Sequence, residues 1–222
     1  DLKNISPKNH KYLKDFFPST KDLLNFKNHK IKIEYKKNFV SFSGKGQIKI
    51  DREYDNIDYF ILKEANTINF DVKTDLSKTD FKIDNINYKK NKEFITKLNI
   101  SGSFMPGENL SLNNLSIFEK KNKIKITNLV FDENYLIINL DEADFDYVDN
   151  QGKENQFLIK RNENNKYTCN GLFFNANTIV TNLLEGNENQ ENKFFKNNLN
   201  IILSLNKVNL DEINFVNNLQ GS

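Results

Sequence analysis

The sequence is poor in the residues that build covalent or metal cross-links. It contains one cysteine, Cys169, three prolines, eight glycines and no tryptophan among its 222 residues. A single cysteine excludes an internal disulfide and a site built from several cysteines. Because Cys169 is in phase with the apolar Tyr167 and Phe173, we expect it to be a small buried hydrophobe and not a nucleophile.

Long hydrophobic runs are also missing. No apolar stretch reaches the roughly 18 residues that span a bilayer, and no signal peptide opens the chain. The sequence begins at Asp1 and stops at Gly221-Ser222, so we expect it to be a piece of a longer protein.

The charges nearly cancel. The chain has 32 basic and 30 acidic residues, which give a formal charge of +2, and the two signs are interleaved. A nucleic-acid-binding protein is expected to show a basic surplus on one face. The alternation of charged and apolar residues instead indicates a solvated face, and we expect no nucleic-acid partner.

Few residues offer chemistry. The only histidines, His10 and His29, lie among Lys and Asn, and we expect both to be solvated surface residues, since neither has a cysteine or paired carboxylate nearby. Gly44-Lys45-Gly46 lacks the rest of a phosphate-binding loop and is expected to form a turn or bulge. The acidic stretch from Asp141 to Glu154 does not fit a calcium loop, because Tyr147-Val148 interrupts the pattern. We therefore expect no catalytic residue, no metal and no cofactor.

From Ile31 onward the sequence alternates between apolar and polar residues, which is the pattern of half-buried β-strands. Many short segments of this kind, separated by polar turns such as Met105-Pro106-Gly107-Glu108, predict an all-β fold of mainly antiparallel strands. The residues that share the apolar phase include Ile31, Ile33, Tyr35, Ile48, Ile50, Ala143, Phe145, Tyr147, Phe157, Ile159, Leu199, Ile201, Leu203 and Leu205.

Two segments depart from this alternation. His10 to Phe26 carries a cap-like Ser19-Thr20-Lys21-Asp22, which predicts one or two short helices. Residues 175–186 predict a short amphipathic helix capped by Asn175. The predicted organisation is therefore a helical or irregular lead-in at 1–30, an antiparallel β-region at 31–174, this helix at 175–186, and a loop with further strands at 187–222.

The apolar face of a sheet must be shielded from water, and the periodicity of the sequence is compatible with two ways of shielding it. A second sheet would produce a β-sandwich with a dry core, as in an adhesin or a structural module. A ligand with long apolar tails, lying in a curved sheet, would produce a binding groove. In either case, we expect a non-enzymatic protein.

Several phrases resemble the AsmA-like family, in particular the YhdP and TamB group of bacterial envelope proteins. Leu98-Asn99-Ile100-Ser101-Gly102 resembles the "L-x-I-x-G" phrases of its repeats. The stretch from Gly171 to Leu184 is similar to the helix that follows a "G-x-x-x-D-A" phrase in YhdP-like chains, with Asn175 in place of the usual Asp. The strand beginning at Leu199 resembles the one that comes next in that group. The resemblance extends over about three quarters of the chain.

The resemblance implies a fold and a function. It implies a long twisted sheet curled into a taco-like groove, a parent protein anchored in the bacterial inner membrane that projects into the periplasm, and movement of phospholipid along the groove between the two membranes. Membrane proteins at either end are implied as partners. The expected lipid-lining side chains alternate along the strands: Ile68, Phe70, Val72, Phe81, Ile83, Leu98, Ile100, Ile124, Ile126, Leu136, Ile138 and Leu140.

Overall fold

A computed structural model describes residues 2–5, 14–20, 24–162, 166–184, 195–197 and 199–222. The prediction of an all-β fold is confirmed. Nearly all strands belong to one 14-stranded sheet, and a two-stranded hairpin forms the second sheet among these residues. The helical content is small.

The elements are numbered in chain order. The strands are β1 Leu2–Ile5, β2 Leu24–Lys36, β3 Phe39–Lys49, β4 Tyr54–Glu64, β5 Thr67–Leu76, β6 Lys82–Ile83, β7 Tyr88–Lys89, β8 Thr96–Phe104, β9 Leu110–Glu119, β10 Asn122–Phe131, β11 Ile137–Asn139, β12 Glu142–Val148, β13 Glu154–Arg161, β14 Lys166–Asn175, β15 Asn200–Asn209 and β16 Phe215–Gly221. The helices are a 3₁₀ turn at Asp84–Ile86 and α1 at Asn177–Leu184.

The large sheet follows the chain almost strand by strand. Its order is β1-β2-β3-β4-β5-β8-β9-β10-β12-β13-β14-β15-β16, and β11 pairs with β10 beside this path. All of these pairs are antiparallel except β14 with β15, which are parallel. A parallel pair needs a crossover connection, and α1 lies in the connection between these two strands. The helix predicted at 175–186 is thus confirmed over Asn177–Leu184, while Asn175 is the last residue of β14.

The beginning of the chain corrects one prediction. Residues 14–16 are helical, but β2 already starts at Leu24, and β1 pairs with it. The boundary predicted at residue 31 and the helix predicted after Ser19 are therefore wrong, because Leu24 and Phe26 extend the β-pattern into that region. His10 and the polar loop that follows α1 lie outside the described residues.

The turns are formed by residues that tolerate a left-handed backbone. Gly107 has φ 82° in the predicted turn, and the Glu108 N–H donates to the Met105 carbonyl at 3.0 Å. Gly44-Lys45-Gly46 lie inside β3, so the predicted turn is wrong, whereas a bulge is present opposite Gly46, where the register of β2 shifts between Lys27 and Lys30. Gly44 is needed there for space, since a Cβ atom on it would lie 2.3 Å from the ring of Tyr59.

The core lies on one face of the large sheet. Ala143, Phe145 and Tyr147, which alternation placed on the inner face of β12, are all buried. Asp146 between them is exposed, as the alternation predicts, and Asp144 is half-buried and pairs with Lys123. The same parity extends across neighbouring strands, which positions the apolar face described next.

Candidate functional site

Residues that pair directly across strands point to the same side of a sheet, so the pairing register defines rows of side chains that run across the strands. One such row, here called the central ladder, crosses from β2 to β15 with no charged residue. Its members are Ile31, Gly44, Tyr59, Val72, Ile100, Leu115, Ile126, Ala143, Ile159, Cys169 and Leu203. At about 4.8 Å per step, this ladder extends over roughly 48 Å.

A parallel row, the buried ladder, lies one row further along the strands. It consists of Leu98, Ile117, Ile124, Phe145 and Phe157, which are 5%, 1%, 0%, 7% and 6% exposed. On the other side of the central ladder, the rim ladder consists of Ile33, Phe42, Ile61, Phe70, Gly102, Leu112 and Leu129. Together, the three ladders form the apolar face of the sheet.

One segment covers part of this face. Residues 77–95, here called the inserted segment, connect β5 to β8 and contain the 3₁₀ turn and the β6–β7 hairpin. Phe81 and Tyr88 are 4% and 1% exposed and belong to the same core as the buried ladder. Seven aromatic rings follow one another at centroid distances of 4.6–6.3 Å: Phe17, Phe81, Tyr88, Tyr147, Phe145, Phe157 and Phe174. Apolar packing of this kind accounts for the low exposure of the buried ladder.

Two buried carboxylates hold the ends of the inserted segment. Asp55, which is 2% exposed, accepts hydrogen bonds from the backbone N–H groups of Ser77, Lys78 and Thr79 at 2.7–3.0 Å, and from the Ser77 hydroxyl at 2.8 Å. Glu119 does the same at the other end, where it accepts from the Asn91 N–H at 3.0 Å and from the Thr96 hydroxyl at 2.6 Å.

The middle of the inserted segment reaches β12 and α1. The Tyr147 hydroxyl donates to the Ile86 carbonyl at 2.6 Å, and the Asn150 N–H donates to the Asn87 carbonyl at 2.9 Å. The Thr178 hydroxyl of α1 donates to the Asn87 side chain at 2.7 Å. These bonds tie the segment to β12, to the turn that follows it and to α1.

Burial shifts the pKa of the titratable groups beneath the inserted segment. Burial raises the pKa of the Tyr88 phenol, and the nearby charge of Glu119 adds to this effect. Burial also raises the pKa of Tyr147 and lowers the pKa of Lys90, which the carboxylates of Glu119, Asp55 and Asp80 partly restore. These groups support the segment.

The predicted lining residues separate into two groups. Ile68, Phe70, Val72, Ile100 and Ile126 are half-buried on the apolar face and are available to a ligand. Leu98, Ile124, Leu140 and Phe81 are buried in the core, and Ile83 packs against it. Phe81 and Ile83 were predicted in a strand of the large sheet. That prediction is wrong, because Ile83 belongs to the separate β6–β7 hairpin and Phe81 precedes it.

Alternation also fails around β11. Leu136, Ile138 and Leu140 share one parity, but the core contact from β11 comes from Ile137, which has the opposite parity. The physical reason is a register irregularity between Val130 and Phe131, which interrupts the period of two. Ile138 therefore lies off the apolar ladders.

Several ladder residues were not singled out by sequence reasoning. Tyr59, Leu115, Ile159 and Leu203 lie on the central ladder, and Phe42 and Ile61 lie on the rim ladder. Ile159 and Leu203 were recognised as strand residues, but only the pairing register shows that they extend the same row.

His29 differs from its prediction. The prediction of a solvated side chain is wrong, because its ring packs edge-to-face with Phe26 and stacks on Tyr59, at centroid distances of 5.1 and 5.5 Å. A bulge at Asn28, with φ 51°, turns the imidazole onto the apolar face, and its two nitrogens have no hydrogen-bond partner there.

Polar surface features are found away from the ladders. An open depression of about 540 Å³ is lined by polar and charged side chains that include Asp141, Lys160 and Arg161. A smaller cavity of about 180 Å³ lies beside Phe104 and Tyr135 at the hairpin tips. Within the described ranges, no three His, Cys, Asp or Glu side chains lie close enough to hold a metal ion.

Comparisons with protein-family models, curated proteins and solved structures found no match for this chain. Among the helices that the structure describes, none is long and apolar enough to cross a bilayer.

Proposed function

We propose that this chain is a segment of an AsmA-like envelope protein that binds phospholipid acyl chains on its apolar sheet face and helps move lipid between the inner and outer membranes. In this proposal, the sheet curls about the axis of the central ladder to form a groove. The parent protein is anchored in the inner membrane, and this segment lies in the periplasm with membrane proteins as its partners. It carries out no chemical reaction.

The observation that carries the proposal is the central ladder. It offers an uninterrupted row of uncharged side chains across eleven strands, and Val72, Ile100, Leu115, Ile126, Ile159 and Leu203 in it are only half-buried. One leaflet of a bilayer has a hydrocarbon layer of about 15 Å, half of the roughly 30 Å core. The ladder is about three times as long, so it could hold acyl chains along its axis.

The energetics favour such a ligand. Each methylene group removed from water contributes about 0.8 kcal/mol, so a dozen buried methylenes contribute about 10 kcal/mol before the costs of association. A half-buried aliphatic row offers this area without requiring any side chain to leave the core. The inserted segment already occupies the buried ladder, so the ligand would lie on the central and rim ladders.

The alternative, an adhesin-like or structural β-sandwich with a dry core, requires a second sheet of comparable size. Among the described residues, the second sheet is the β6–β7 hairpin, with two residues in each strand. Such a hairpin is too small to cover the whole apolar face, and most residues of the central ladder stay half-buried, which favours the lipid-binding proposal.

The test is native mass spectrometry of the purified protein, with lipid extraction from the same sample. We expect co-purifying phospholipid in the wild type and its loss in Ile100→Asp and Ile126→Asp. Asn99→Asp is the matched control, since Asn99 is on the opposite face of β8 and faces Lys73 across the strands. Ile138→Asp, which lies off the ladders, should also retain lipid.

Folding of each variant is checked by its thermal transition, and Ile126→Ser provides a milder substitution if the aspartate variants unfold. A wild-type protein that is free of lipid, and that takes up none after incubation with phospholipid vesicles, would contradict the proposal. Equal loss of lipid in Asn99→Asp and Ile126→Asp would contradict the assignment of the binding face.

A further inference from the structure

The β2–β3 hairpin exposes apolar side chains that the rest of the fold leaves uncovered. Ile31, Ile33 and Tyr35 are 44%, 62% and 78% exposed, and all three point to the apolar face. They lie at the start of the central and rim ladders. Large exposed apolar side chains grouped on one face of a strand indicate a contact surface.

This strand also has an open edge. On the side away from β3, β2 pairs only through Leu24 and Phe26 with β1, and no other strand of the described ranges pairs with Lys27–Lys36. The surface formed by Ile31, Ile33 and Tyr35 is thus accessible both from its face and from its edge.

The hairpin is strongly basic. Between Leu24 and Val40 the sequence has five lysines and one glutamate, a formal charge of +4, whereas the whole chain carries +2. The remaining residues therefore carry −2. All five lysines are exposed: Lys27, Lys30, Lys32, Lys36 and Lys37. Glu34 pairs with Lys32 at 2.5 Å, so the positive charge of the other four is not compensated within the hairpin.

We propose that the β2–β3 hairpin docks on the surface of an anionic phospholipid bilayer. Ile33 and Tyr35 enter the headgroup region, where the amphipathic side chain of tyrosine is favoured, and the lysines contact the anionic headgroups. Lys30, Lys32 and Lys36 alternate with these side chains and point to the opposite face of β2. Both sets reach the bilayer when the open edge of β2 lies on its surface, because the apolar stems of the lysines let the charged ends extend to the headgroups. This inference goes beyond the proposed groove, because it concerns where the chain meets a membrane and holds whether or not lipid occupies the ladders.

A second copy of the chain is the competing occupant of this surface. Pairing of two β2 edges would bring Lys30, Lys32 and Lys36 of both copies close together, and lysines on an edge strand oppose such pairing. The positive charge that disfavours a second copy favours an anionic membrane.

The test measures co-flotation of the protein with phosphatidylcholine vesicles that contain or lack phosphatidylglycerol. We expect binding only when phosphatidylglycerol is present, and weaker binding at higher salt. Each lysine near the surface contributes about a fivefold increase in partitioning, so the double variant K36E/K37E should partition about 30-fold less or weaker still. Ile33→Ser combined with Tyr35→Ser should also weaken binding, at unchanged charge.

The control is K97E/K121E, which makes the same change of charge at two exposed lysines outside the hairpin. It should bind within about twofold of the wild type, because its lysines lie away from the docking surface. Because all the altered side chains are exposed, we expect the variants to fold. Ile126→Asp should still bind vesicles even if it loses co-purified lipid, so either proposal can be refuted without refuting the other.

Three results would overturn the proposal. One is equal binding to vesicles with and without phosphatidylglycerol. Another is equal binding by K36E/K37E and K97E/K121E. A third is a concentration-dependent dimer in solution that Ile33→Ser and Tyr35→Ser abolish, with no vesicle binding by the wild type, which would assign the surface to a second copy.

Discussion

Removal of the Asp55 carboxylate should release one end of the inserted segment and destabilise the whole sheet. Asp55 accepts three backbone N–H groups and one hydroxyl at 2.7–3.0 Å while only 2% exposed. A hydrogen bond to a charged group contributes about 1.5–3 kcal/mol. Water can replace part of this hydrogen bonding at Ser77 and Lys78, and the variant no longer has to desolvate a buried charge. We therefore expect Asp55→Ala to lower the free energy of unfolding by about 3 kcal/mol.

The measurement is urea unfolding, combined with hydrogen exchange of residues 77–95. Because the inserted segment covers the buried ladder, its release exposes Leu98, Ile117 and Ile124, and the loss should appear in the global free energy of unfolding and not only as local exchange. Asp55→Asn, whose amide oxygen can still accept, should lose less than Asp55→Ala.

Asp75 provides the control for this prediction. Asp75 is half-buried in the neighbouring strand β5 and points to the face of the sheet opposite to that of Asp55. Asp75→Ala should change stability by no more than about 0.5 kcal/mol. If Asp55→Ala and Asp75→Ala lose equal amounts, or if Asp55→Ala leaves exchange of residues 77–95 unchanged, the carboxylate does not hold the segment and the reasoning is refuted.

Two further predictions concern titratable groups. Hydrogen bonds from Asn128 and Asn139, with the guanidinium of Arg161 at 2.7 Å, hold the pKa of Asp141 below its usual 3.8, so the folded state binds this proton less readily than the unfolded state. The stabilising contribution of Asp141 is therefore present above about pH 4 and is lost as the pH falls through the lowered pKa. Acid unfolding of Asp141→Asn should lack this part of the pH dependence. Identical acid-unfolding profiles for wild type and Asp141→Asn would contradict this prediction. Burial raises the pKa of the Cys169 thiol to about 11, so a thiol reagent at neutral pH should modify Cys169 only after unfolding, and rapid labelling of the native protein would show that the central ladder is open at β14.

The sequence by itself determined the all-β class and most of the strands. Period-two alternation is a local property of the backbone, in which successive side chains point to opposite faces, so Ala143, Phe145 and Tyr147 could be placed on the inner face without a structure. The turn at Gly107 and the cap at Asn175 were also predictable, because each depends on one residue and its immediate neighbours.

The tertiary structure alone decided which of these side chains share a row and which are covered. Ile124 and Ile126 have the same parity on β10, yet Ile124 is 0% exposed and Ile126 is half-buried. The difference arises from the inserted segment, whose position depends on contacts between distant residues such as Tyr147 with Ile86 and Asp55 with Thr79. Bulges such as that at Asn28 change the register of β2, and with it the face to which His29 points. Alternation cannot report these features, since a strand fixes its own two faces while the pairing and packing of other strands fix what each face meets.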